Sequence, residues 1–162
     1  AKEYAESVKT YSDNLELATV TMLKGAGDAE DCGNLIKNVW YNAIYKEKDD
    51  ETDKYTRPGG YFVSDFNDAL GNLFVDSSFS SKIDSIDNNQ DTVNSLMKKL
   101  KNPPEEYKDA YDALSDFYDA YLALTGCATD PSGSLQTYSS TFNDADTDTL
   151  NSYKAMQQYL GD

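Results

Sequence analysis

The sequence predicts an all-α protein, an up-and-down antiparallel bundle of four to five helices, and three observations predict it. Large and apolar residues recur at alternating three- and four-residue steps over long stretches, the period of one helix face. No segment shows the two-residue alternation of a half-buried strand. The connections between the helical stretches are short, which makes successive helices antiparallel neighbours. At 162 residues the chain has the size of one domain, spanning 1–162, and is long enough to bury a substantial core.

The clearest helix lies in residues 102–126. Asn102 is placed as its N-cap, with Pro103 and Pro104 at the first helical positions, where a missing N–H costs nothing. Glu105 and Glu106 then set negative charge on the positive end of the helix dipole. Tyr107, Leu114 and Tyr121 form one inward row, Ala110, Phe117 and Leu124 a second, and Tyr111 and Tyr118 widen the stripe. Asp109, Asp112, Asp116 and Asp119 take the opposite face, and Gly126 is placed as the stop.

Taken from the start, Tyr4, Val8, Tyr11, Leu15, Ala18 and Met22 predict a helix over 3–24. Gly25-Ala26-Gly27 is expected to end it, with Asp28 capping a second helix whose stripe is Cys32, Leu35 or Ile36, Val39, Trp40 and Ala43. Lys46–Gly60 is a charged run ending in Arg-Pro-Gly-Gly, expected to be the most mobile loop. Phe62, Phe66, Ala69 or Leu70, and Leu73 mark a short helix. Phe79, Ile83, Ile86, Gln90, Val93, Met97 and Leu100 mark a longer one, out of register with it. A kink or turn is therefore expected at Asp76-Ser77-Ser78, although one continuous helix over 61–101 would suit an elongated bundle. Asp130–Ser134 reads as a turn and N-cap cluster. The last helix carries Leu135, Tyr138, Phe142, Ala145, Leu150, Tyr153, Met156 and Leu160.

Cys32 and Cys127 bear on topology. With a chain reversal at Asp76–Ser78 they fall at one end of the bundle, where a disulfide and an oxidising compartment become consistent; with residues 61–101 straight they fall at opposite ends. Spacing alone does not choose between a bridge and two separate buried thiols.

Composition narrows function by exclusion. Fourteen basic residues against 29 acidic give a formal charge of −15, which repels phosphate backbones and anionic headgroups, so neither nucleic acid nor a membrane surface is the expected partner. There is no run of the length and apolarity of a transmembrane helix, so no direct membrane insertion is expected. Aromatic content of 12%, with 13 tyrosines, argues for a folded chain despite the charge. The chain has no histidine, which removes Ser-His and Cys-His nucleophile pairs and the Glu-x-x-His metal motif of helical bundles. Catalytic use of either thiol is correspondingly disfavoured.

Two acidic stretches begin like calcium loops, Asp87–Asp91 and Asp144–Asp148. Counted from each start, Thr92 and Thr149 stand where an EF-hand needs glycine, and Lys98 and Ala155 where it needs glutamate. A solvated acidic helix face accounts for both. No metal or cofactor site is expected, and there is no Gly-rich phosphate loop. Most tyrosines fall on inward stripes and read as core. Trp40 and Tyr41 are adjacent and cannot both point inward, so they, with Tyr55 in the following loop, mark a candidate recognition surface.

Three segments carry a family resemblance: Gly33–Tyr45, Asn102–Leu114 and Pro131–Tyr138. Through them the chain resembles a group of uncharacterised helical proteins of Gram-positive bacteria that are exported or membrane-anchored, often as lipoproteins. The resemblance implies a cell-envelope location, and a lipid-bearing cysteine upstream of Ala1. It implies no activity, substrate or catalytic residue. The chain begins at Ala1 without Met, which is read as a mature or trimmed form. The functional expectation is a non-enzymatic, extracytoplasmic binding or scaffolding module that recognises a protein or envelope component by its surface. The alternative is a small-molecule sensor or carrier with a pocket between helices, and a more remote one is a hydrolase using paired carboxylates.

Overall fold

The computed structural model describes residues 1–161. It is all-α, and one helix, α1 (Lys2–Tyr45), runs the whole length of the molecule. Its 44 residues reach about 66 Å at about 1.5 Å per residue. The expected break at Gly25–Gly27 does not occur. Gly25 and Gly33 instead lie buried on the inner face, against Asn89 and Phe142 respectively, so close that a Cβ at either position would collide with the neighbouring side chain. These glycines let neighbours approach, a role that leaves the helix intact. The helix ends at Lys46, whose backbone is left-handed (φ 55°) and whose N–H returns to the Asn42 carbonyl.

Packed along α1 are α2 (Asp53–Thr56), α3 (Phe66–Val75), α4 (Ser77–Lys99), α5 (Lys108–Thr129) and α6 (Leu135–Gln157). The contacts give the topology. Phe66 of α3 stacks on Trp40, Asn89 of α4 donates to the Thr21 carbonyl, and the Tyr11 hydroxyl donates to the Leu100 carbonyl at the end of α4. Residues 66–100 therefore descend α1 in one direction. The break between α3 and α4 is the single extended residue Asp76, a kink rather than a reversal. The bundle is long enough to hold both pieces end to end because α1 itself is unbroken. Climbing again, α5 passes from Tyr107 beside Tyr11 to Tyr121 beside Gly25. On α6 the order is Tyr138 against Trp40, Phe142 against Gly33 and Tyr153 against Phe117, so it descends. The result is an antiparallel up-and-down bundle.

The inward rows of α5 are as its sequence predicts: Ala110, Leu114, Phe117, Tyr121 and Leu124 are buried and the four aspartates are exposed. Its ends are not. Asn102 is left-handed (φ 62°), Pro104 is extended, and a short 3-10 turn at Glu105–Tyr107 leads into the helix. At the other end Gly126 is passed through, because Cys127 and Ala128 carry the buried stripe one turn further. On α6 the buried position is Thr149, while Leu150 is 54% exposed. A threonine can serve as core there because its hydroxyl donates to the Ala145 carbonyl at 2.7 Å, and Thr19 and Thr125 do the same to Leu15 and Tyr121.

The charged run after α1 is also more fastened than expected. Thr52, Tyr55 and Thr56 are buried, Asn42 donates to Thr52, Asn72 donates to the Tyr55 carbonyl, and the Val63 N–H returns to Thr56. No helix among the described residues is long and apolar enough to cross a membrane.

Candidate recognition groove beside Trp40

Near its C-terminal end α1 turns Trp40 inward and Tyr41 outward, as adjacent helix positions require. The indole of Trp40 is 4% exposed. It stacks on Phe66 at 5.6 Å between centroids and is tilted against Tyr138 at 5.5 Å. Its Nε1 is buried and has no hydrogen-bond acceptor. A buried donor left unpaired costs about 1–3 kcal/mol, and Thr56 Oγ1, Arg57 Nε and Asp76 Oδ2 are likewise buried without a partner.

Beside it is an open groove of about 340 Å³, walled by Phe66, Leu70, Gly71 and Phe74 of α3 and by Pro131–Gly133 of the α5–α6 connection. The same three connecting residues border a second open depression of about 360 Å³ between α5 and α6, where Gly126, Cys127, Thr137 and Tyr138 lie. The connection is held in shape locally. Gly133 is left-handed (φ 83°), and Ser134 caps α6 through a reciprocal pair of bonds with Thr137. Tyr138 reaches back to donate to the Cys127 carbonyl at 2.7 Å, and burial pushes its hydroxyl pKa up. Among the described residues lining the two depressions Asp130 alone is charged, in a chain of net charge −15.

The structure therefore divides the three residues of the expected recognition surface. Trp40 lines the groove. Tyr41 is 49% exposed on the outer face of α1, where its ring packs at 4.5 Å on Tyr45, and it does not line the groove. Tyr55 is buried beneath the Lys54 ammonium and presents no free surface, which corrects that expectation. The α3 wall was visible only as core in the sequence. Its signal is that Phe66, Ala69, Leu70, Leu73 and Phe74 form a stripe broader than one neighbouring helix covers, and Ala69 and Leu73 take the core side.

Cys32 and Cys127 are both buried and free. They share a level of the bundle: the Cys127 carbonyl accepts from Tyr138, and Cys32 precedes Gly33, which faces Phe142, one turn beyond Tyr138 on α6. They reach that level without any reversal at Asp76, because α1 does not turn at Gly25–Gly27 as the topological alternatives above assume. Burial raises the Cys32 thiol to about 11 and shifts Cys127 the same way, which suppresses the reactive thiolate. In the folded protein neither should react with a maleimide at neutral pH within minutes, and both should label once denatured without reductant. A denatured sample that takes label only after reduction would show a bridge instead.

Among the described residues no three metal-ligating side chains converge. Compared with known proteins, the chain matches no family model, no curated sequence and no solved structure.

Proposed function

We propose that this chain is a non-enzymatic recognition module of the cell envelope, and that it binds an uncharged, apolar segment of a partner protein in the groove beside Trp40. The observation that carries the reading is the open, aromatic-walled groove lined by Trp40, Phe66, Leu70 and Phe74, with no charged residue among its described lining. Aromatic-lined grooves are a recurring way of docking extended peptide segments. The described lining of the groove beside Trp40 carries no charge, which disfavours ionic ligands, and the open form of both depressions suits a segment laid across them better than an enclosed small molecule. The envelope location rests on the resemblance carried by Gly33–Tyr45, Asn102–Leu114 and Pro131–Tyr138, and the acidic exterior is compatible with it.

Trp40 is the only tryptophan, so its fluorescence reports on the groove alone. Peptides selected from a phage-displayed random library should be uncharged and apolar, and should shift the Trp40 emission on binding. Gly71→Tyr projects from the α3 wall at a helix position where an added Cβ meets nothing, so it is placed to fill the groove at little cost to the helix. It should weaken those peptides by about tenfold or more, ~1.4 kcal/mol. Selected peptides that bind Gly71→Tyr as tightly as the parent, or that leave Trp40 emission unchanged, would place recognition elsewhere.

A further inference from the structure

We propose that Glu30 and Asp146 form a proton-operated latch between α1 and α6, closed when they share a proton and loosened when both are ionised. The two acids come from different helices and meet at the rim of a small, mostly apolar pocket of about 140 Å³, walled by Ala26, Leu124, Thr149 and Tyr153. Both are half-buried, and neither is among the carboxylates paired with a lysine or arginine. Two carboxyl groups brought to one small pocket from different helices, neither paired with a cation, are best accommodated by a shared proton.

The groups facing Glu30 are few. Asp146 from α6 shares the pocket with it, Asp31 adds negative charge from its own helix, α6 also contributes Tyr153 to the pocket wall, and α5 contributes Leu124. Each acts against ionisation or is neutral. The bond to Asp146, burial and the two negative charges together raise Glu30 from 4.5 to about 7.

What gives this pair its consequence is the rest of the composition. Histidine is the side chain that ordinarily changes charge between about pH 5 and 8, and this chain has none. The cysteines are shifted upward, away from that range. The latch is thus the side-chain sensor of near-neutral pH. Because Glu30 binds its proton more tightly folded than unfolded, the stability it contributes is fully present below 4.5 and is lost as pH rises through about 7. Loss of the proton sets two negative charges against each other where α1 and α6 pack over the apolar wall.

The test is melting temperature and amide exchange, corrected for intrinsic rates, from about pH 5.5 to about pH 8. The parent should melt lower as pH rises, and exchange in α6 around Asp146 should accelerate on the order of tenfold. Glu30→Gln keeps a donor to Asp146 at every pH, and Asp146→Asn keeps one to Glu30, so both should flatten the profile. Carboxyl carbon NMR of the parent reads the site directly, whatever the variants do. A Glu30 signal that titrates in the ordinary carboxylate range, or a pH slope that survives in Glu30→Gln, would overturn the latch.

Discussion

Gly33→Ala should destabilise the protein by about 2 kcal/mol or more, although alanine is the better helix former. A Cβ at Gly33 would lie 2.2 Å from Cε1 of Phe142 and within 2.8 Å of two further ring atoms. The ring cannot step aside freely. It is 2% exposed, lies nearly parallel to Tyr138 and carries the Lys37 ammonium on its face. The control is Gly27→Ala, in the same helix, where an added Cβ meets nothing. That change should stabilise by about 0.5–1 kcal/mol through backbone entropy alone. Gly25→Ala should fall on the destabilising side, because the Asn89 amide that would be struck is held by hydrogen bonds to Thr21 and Tyr121. Urea unfolding followed by circular dichroism measures all three. The opposite sign at Gly33 and Gly27 is the decisive feature. If Gly33→Ala stabilises as Gly27→Ala does, α1 and α6 do not approach as closely as described. Phe142→Leu should recover part of the Gly33→Ala loss, giving a coupling between the two sites.

Those glycines also mark where sequence reading stopped. A helix-ending glycine and a helix-contacting glycine look identical locally, and only the partner across the interface tells them apart. Gly25-Ala26-Gly27 thus reads as a stop, while the real end of α1, the left-handed Lys46, carries no glycine signal. Periodicity succeeded where it reports burial directly, as in α5, and where two stripes fall out of phase, as at Asp76. It failed at Thr149, since the hydroxyl's bond to its own helix makes a polar residue acceptable core. The groove was half legible. Trp40 stood out as a lone indole beside an aromatic neighbour, but the wall formed by α3 and Pro131–Gly133 exists only once distant segments meet. Glu30 and Asp146 were invisible for the same reason: nothing local in either helix announces the other.

Tyr121→Ala should be among the most damaging single substitutions in the chain, costing about 3–5 kcal/mol against a usual total of about 5–15. Tyr121 is fully buried where α1, α4 and α5 meet, its ring 3.0 Å from the position a Gly25 Cβ would take. Its hydroxyl donates to Asn89 Oδ1, and the Asn89 amide donates in turn to the Thr21 carbonyl at 3.0 Å, tying α5 to α4 and α4 to α1. Burial pushes the Tyr121 hydroxyl well above its ordinary pKa of 10.0, which keeps it a donor through neutral pH. Tyr121→Phe separates the two contributions. It keeps the ring and removes only the donor, stranding Asn89 Oδ1, and should cost about 1–3 kcal/mol. Asn89→Ala removes the other end of the same bond, so the double variant should lose less than the sum of the singles. Denaturant midpoints of the four proteins give the cycle. Additive losses would mean that the tyrosine stabilises the bundle by its ring alone, and that the three helices are joined at this level by packing without the polar chain.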